Sequence, residues 1–250
     1  RGSLTGAYGV SLDEWQRNSS TASLALFLFT PRLLLTPTNK KGEEGREELT
    51  RRFDRFMRGE WAELMAATQP APGQRQLKRG SREEQPEEAK ERKLEMACNR
   101  VRQGEVSRAR EVLTTTGLAP GNLATLNELR DPTRRPSELS RPISADALTH
   151  RPANEFALDS EQLYSCLSTA RKGRAADLFG TRMEHLRVLL DSEEIWNRFT
   201  NLAKAFARGE APPEGNELLR KGRMTALKKK DGRARGIVTG CTFRRLVCKA

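Results

Sequence analysis

Between residues 159 and 206, large apolar side chains recur three times at the spacing of one helix face, and each run opens on a capping signal. Asp159 stands three residues before Gln162 and leads into Leu163, Cys166, Leu167 and Ala170. Thr181 with Glu184 leads into Met183, Leu186, Leu189 and Leu190. Asp191 with Glu194 leads into Ile195, Phe199, Leu202, Ala203 and Phe206. An Asp or Thr at a helix start accepts from N–H groups that have no partner inside the helix, and a Glu or Gln three residues on reaches back to the cap. Gly173 closes the first run, and Gly209 with Pro212-Pro213 closes the third. The pattern predicts amphipathic helices on a shared core, each large side chain contributing about 1.5–3 kcal/mol before entropy is subtracted.

After Gly222 the period changes. Met224-Thr225-Ala226-Leu227 and Gly236-Ile237-Val238-Thr239 are short apolar runs on either side of Lys230-Asp231-Gly232-Arg233. Asp-Gly between two such runs is a hairpin signal, because the turn needs positive φ and only glycine adopts it freely. A further helix is expected from Thr242 through Lys249. The fold class expected is therefore mainly α with a small β-hairpin, an α+β chain.

Charge is concentrated in the same region. Residues 220–250 hold eleven Lys and Arg against the single acid Asp231, a net +10, out of +12 for all 250 residues. Such a cluster suits phosphate, on a nucleic acid or a nucleotide, although a solvated basic face would carry the same signature.

Upstream, residues 1–45 show weak periodicity. Leu24–Leu35 is strongly apolar, interrupted at Thr30-Pro31-Arg32, and about half the length that spans a bilayer, so it reads as a short buried segment or as an artefact of an ill-defined N-terminus. Residues 46–66 look helical, with Leu49, Phe53, Phe56, Met57, Leu64 and Met65 near one face. Residues 69–93 are polar and proline-bearing and read as a linker. A helical pair is expected over Leu94–Val101 and Val106–Leu113 with a break at Gly104, a turn at Leu118–Asn122, and a short helix from Thr125 to Arg130. Pro132, Pro136, Pro142 and Pro152 favour an extended connection through residues 131–157. The chain thus divides into residues 1–93, partly helical with a charged linker; 94–152, helical with a proline-rich connection; and 153–250.

Cys98, Cys166, Cys241 and Cys248 are widely spaced, with no C-x-x-C pair, and the only histidines are His150 and His185. Neither a zinc site nor a disulfide framework is indicated, and a reducing interior, nucleus or cytoplasm, is expected. No membrane association is expected.

Residues 222–238, reading Gly-Arg-Met-Thr-Ala-Leu-Lys-Lys-Lys-Asp-Gly-Arg-Ala-Arg-Gly-Ile-Val, resemble the fingers hairpin of reverse transcriptases of the non-LTR retrotransposon type, "L-x-K-P-D-G-G-x-R-P-I". Arg244-Arg245-Leu246-Val247 follows where that family often has a basic helix. Ala175–Leu190 is similar to its "A-x-G-P-D-G-x-x-x-E-H-L" segment, ending in Glu184-His185-Leu186. The resemblance covers about residues 155–250 and weakens back to residue 94. The chain departs from the family pattern at Lys230, Arg233, Gly236 and Asp177-Leu178-Phe179.

The resemblance implies the start of a fingers subdomain. It places Lys229 and Arg235 on the triphosphate of an incoming nucleotide, with Lys228, Lys230, Arg233, Arg244 and Arg245 expected on nucleic acid. His185 and Glu184 are read as structural. The family's metal-holding carboxylates, one strand Asp and a Tyr-x-Asp-Asp pair, come after the fingers, and no Asp-Asp occurs here. No catalytic residue, metal site or cofactor is therefore expected in these residues. Arg1 and Ala250 read as cut points, so the expectation is a truncated, catalytically inactive fragment of a mobile-element protein. Its intact parent would be an RNA-directed DNA polymerase using magnesium, dNTPs and an RNA or DNA partner. The competing readings are a non-catalytic basic nucleic-acid-binding module and a helical interaction protein.

Overall fold

The structure is a computed structural model that describes residues 2–36, 42–68, 86–102, 104–114, 117–134, 144–146, 157–229 and 231–250. It is mainly helical, with one small antiparallel sheet. In chain order the helices are α1 (Gly2–Asn18), α2 (Thr21–Leu35), α3 (Gly42–Met57), α4 (Trp61–Thr68), α5 (Pro86–Arg102), α6 (Val106–Thr114), α7 (Leu123–Arg130), α8 (Ser160–Ser168), α9 (Met183–Leu186), α10 (Glu193–Ala207) and α11 (Pro213–Arg220). Strands β1 (Gly222–Lys228) and β2 (Ala234–Gly240) follow, and then α12 (Thr242–Val247). Short 3-10 turns lie at Pro132–Arg134 and Arg187–Asp191.

The described residues form two compact units, each made of separated stretches. The first comprises Arg1–Gln69, Pro142–Arg223 and Val238–Ala250; the second comprises Pro70–Arg141 and Met224–Ile237.

The first unit owns the large core. Tyr8 and Leu12 of α1, Leu24, Phe27 and Leu28 of α2, Leu163 and Leu167 of α8, Phe199 and Leu202 of α10, and Phe243 and Leu246 of α12 are all buried together. Phe27 stands at its centre, with ring centroids 5.4 Å from Tyr8, 5.9 Å from Phe199 and 5.6 Å from Phe243. Edge-on and tilted arrangements of this kind suit the positive rim and negative face of each ring. A smaller cluster joins Ala7, Leu26, Leu33, Leu34, Phe56 and Leu64. The weakly periodic residues 2–35 are thus two helices. Helix α2 is apolar and buried over most of its surface, and a segment apolar on nearly every face shows little periodicity, whereas α1 buries Tyr8, Leu12 and Trp15 and exposes its polar C-terminal end.

Ser20 starts α2: its hydroxyl accepts from the Ser23 N–H at 3.2 Å, and the Ser23 hydroxyl accepts from the Ser20 N–H at 3.1 Å. The helix continues through Pro31. Residues 46–66 are two helices, split at Gly59, where φ is +79°. Phe56 and Leu64 turn inward with Phe53 and Met65 partly buried beside them, whereas Leu49 and Met57 are exposed, so most but not all of the expected face is used.

Two of the three expected caps are displaced. Asp159 does cap α8, accepting from Glu161 N–H at 2.9 Å. Thr181 caps nothing; its hydroxyl donates to Leu28 O at 3.0 Å, and the α9 start is Arg182, whose N–H donates to His185 Nδ1 at 3.3 Å. Glu184 instead accepts from the Gly173 N–H. The cap of α10 is Ser192, not Asp191, which ends the preceding 3-10 turn.

The second unit contains the helical pair α5 and α6, turning at Gly104 with φ +74°. The part of the expected linker from Pro86 onward is therefore helical; residues 69–85 lie outside the described residues. Arg100 and Arg108 both reach the Glu105 carboxylate at 2.7 Å, across the turn. Ala97 and Ala109 are buried, whereas Leu94, Val101, Val106 and Leu113 are exposed. Helix α7 begins at Leu123, two residues before the expected start, capped by the Asn122 side chain accepting from Thr125 N–H at 2.9 Å.

Candidate phosphate-binding hairpin

The expected hairpin forms, and its tip lies in the second unit. The Lys229 N–H donates to Arg233 O at 2.7 Å and the Gly232 N–H to Lys229 O at 3.1 Å, which closes the turn. Gly232 has φ +81°, the conformation for which the Asp-Gly signal was read. At the base, in the first unit, Gly222 is equally constrained: a Cβ there would stand 2.5 Å from Val238 Cγ1.

Pairing Lys229 with Arg233 sets the register, so Leu227 faces Arg235 and Thr225 faces Ile237. Strand side chains alternate between faces, so Lys229, Arg233 and Arg235 share one face with Thr225, Leu227 and Ile237. Met224, Ala226, Lys228 and Gly236 belong to the other. That other face meets α7: a Cβ on Gly236 would be 3.4 Å from both Leu129 Cδ2 and Met224 Sδ. Segment 117–119 extends the sheet along β1, where Ala119 N–H donates to Ala226 O at 3.0 Å and Lys228 N–H to Gly117 O at 3.1 Å. An uncharged cleft of about 520 Å³ lies among Leu118, Leu123, Leu126, Leu129 and Met224. The sheet thus has one face that touches α7, with Met224 and Lys228 still exposed there, and an opposite, basic face that bears Lys229, Arg233 and Arg235.

The expected phosphate ligands Lys229 and Arg235 are both exposed and both on the basic face, diagonal across the strands. Among the described residues no ion pair or hydrogen bond engages the Arg235 side chain. Arg233 is different. Its Nε and Nη2 reach Asp231 Oδ2 at 2.7 and 2.5 Å, and its N–H donates to Asp231 Oδ1 at 3.1 Å. That side-chain hydrogen bond holds the Asp231 carboxyl below its usual range and raises the Arg233 guanidinium. Glu128 of α7 accepts from the Ala234 N–H at 2.9 Å and adds negative charge near Arg233. Lys228 is exposed but on the α7 side of the sheet, and Lys230 lies outside the described residues.

Arg244 and Arg245 belong to the first unit, on α12, and are half-buried. Arg245 Nη2 donates to Thr242 Oγ1 at 3.2 Å, and its Nε is buried without a partner. Helix α12 is held by Asp177, a residue to which sequence patterning assigned no role. The buried Asp177 accepts through Oδ1 from the Phe179 and Thr181 N–H groups at 2.9 Å, and through Oδ2 from the Thr242 N–H at 2.7 Å. Thr242 Oγ1 donates to Thr181 O at 3.0 Å, completing the clamp. Asp followed shortly by Gly-Thr was the available signal, since Asp accepts from backbone N–H groups a few residues on.

Burial pushes the His185 imidazole below its ordinary value, with the Arg182 charge adding to the effect, and its Nδ1 serves as an acceptor. His150 lies outside the described residues. Cys241 is buried, and desolvation pushes its thiol up to about 11. Among the described residues no group of three or more His, Cys, Asp or Glu is placed to hold a metal ion, and no helix is long and apolar enough to cross a membrane. Comparisons with protein families, with curated proteins and with solved structures found no match.

Proposed function

We propose that this chain carries a reverse-transcriptase-like fingers segment whose own activity is to bind phosphate groups, of a nucleic acid or a nucleotide, through the basic face of the β1–β2 hairpin. The observation that carries this reading is the register: it sets Lys229 and Arg235 on one exposed face of a turn whose opposite face meets α7. An ammonium and a guanidinium at diagonal positions can converge on neighbouring phosphate oxygens, the guanidinium as a two-pronged donor. Apolar Leu227 stands beside both of them on the same face, next to Lys229 along β1 and opposite Arg235, and gives a ribose or base an apolar contact.

Nucleotidyl transfer requires carboxylates that hold two metal ions against the attacking hydroxyl and the leaving pyrophosphate. The sequence contains no Asp-Asp pair, and Asp231 is committed to the turn. The reading therefore assigns binding to these residues and polymerisation to a parent protein using magnesium and dNTPs, from a mobile element acting inside the cell.

Fluorescence anisotropy with a labelled single-stranded oligonucleotide tests the proposal. Affinity should fall linearly with salt on logarithmic axes, and Lys229→Gln with Arg235→Gln should reduce that slope by about 0.7 for each phosphate no longer neutralised. Affinity that stays flat from low to moderate salt removes the mechanism. Primer extension with magnesium and dNTPs should show no incorporation by this chain. The same hairpin would serve a basic binding module unrelated to polymerases, and a parent coding sequence bearing a downstream Tyr-x-Asp-Asp hairpin separates the two.

A further inference from the structure

We propose that Asp231 is a built-in competitor for phosphate: it occupies the Arg233 guanidinium, and a ligand must displace it before Arg233 joins the binding face. This rests on the phosphate-binding reading of the hairpin.

A guanidinium grips a phosphate or carboxylate through two parallel N–H donors on one edge. Arg233 presents such an edge, Nε and Nη2, and both donors already end on Asp231 Oδ2 at 2.7 and 2.5 Å. The other carboxylate oxygen accepts from the Arg233 N–H at 3.1 Å, so the acid is pinned to the turn and cannot swing away without breaking that bond. Gly232, at φ +81°, folds the chain back so that residues 231 and 233 meet. Glu128, at the neighbouring Ala234 N–H, adds to the negative surroundings.

By alternation, Arg233 shares its face with Lys229 and Arg235. The face thus has one uncommitted guanidinium, Arg235, and one held in reserve. The Asp231–Arg233 pair is exposed, and exposed pairs are weak, so a phosphate-dense ligand can break it. A ligand with one isolated charge gains little by doing so. The pair therefore acts as a threshold on charge density.

Asp231→Asn is the discriminating change, because an Asn oxygen still accepts from the Arg233 N–H and keeps the turn while the competing charge is removed. Wild type, Asp231→Asn, Arg233→Gln and the double variant would be compared, each checked by circular dichroism. One arm uses a labelled twelve-nucleotide single-stranded DNA and the other a nucleoside triphosphate without metal. The expected result is a Kd about three- to fivefold tighter for Asp231→Asn, of the order an exposed pair can withhold. On the oligonucleotide, the salt slope should steepen by about 0.7, as one more phosphate is neutralised. In the Arg233→Gln background the same substitution should gain nothing. Tightening on only one probe still supports the proposal and identifies phosphodiester or triphosphate as the source. Tightening that persists without Arg233 is a bulk charge effect and overturns it. Salt-dependent wild-type binding that Asp231→Asn leaves unchanged overturns it while the hairpin reading stands; failure of all four proteins to bind either probe removes both.

Discussion

Tyr8 is fully enclosed, yet its hydroxyl has no hydrogen-bond partner. Burial, together with the charge of Asp177, pushes the phenol well above its ordinary value, so it stays neutral at any working pH. A buried hydroxyl without a partner costs about 1–3 kcal/mol, and its removal leaves the ring packed against Phe27. Tyr8→Phe should therefore leave the thermal midpoint unchanged or raise it by about 2–4 °C per kcal/mol recovered. A clear fall would mean that the hydroxyl has a partner in solution. At this scale the sequence was uneven. Asp231-Gly232 announced its turn because the constraint is local: a positive φ and an acid beside it. Asp177 gave a weaker sign, because two of its hydrogen bonds are local but the third, from Thr242, spans the chain.

Helix α12 shows how one carboxylate can secure an element. Its six residues are too few to be stable alone, and they hold their place through Phe243 and Leu246 in the core and through the Asp177 bond to the Thr242 N–H. Asp177→Asn swaps one acceptor oxygen for an N–H donor and sets it against a buried donor. It should cost about 1–3 kcal/mol, read from chemical denaturation of the full chain. A change well under about 1 kcal/mol would show that Thr181 and Thr242 hold the junction unaided. The helices themselves were legible from apolar spacing, since α8 and α10 appear where their stripes lie. Their starts were not: Thr181 and Asp191 have the right chemistry for caps, but the Thr181 hydroxyl is drawn off by Leu28 O and Ser192 sits one residue nearer to α10. Helix α2 was legible only as a buried apolar run, because it is apolar on most sides and shows no single face, and α1 gave no clear stripe.

Across the whole molecule, the large apolar side chains are unevenly invested. Among the described residues, the buried apolar side chains of the second unit are Ala97 and Ala109, whereas the first unit buries Tyr8, Phe27, Phe179, Phe199 and Phe243. Local opening is least costly where little apolar surface is uncovered. Hydrogen exchange should therefore label α5, α6 and the Met224–Ile237 strands well before α10; equal protection in both units would contradict this. No linear reading could supply such a division, because composition is sampled along the chain while the units are assembled from distant stretches.

That assembly also bears on how the protein is made. Tyr8 and Phe27 leave the ribosome roughly 200 residues ahead of Phe243, which packs against Phe27. Until then the most greasy helix of the molecule waits without its lid. Its fate in a cell is set by whatever shelters nascent chains during translation, more than by the final balance of forces in the finished fold.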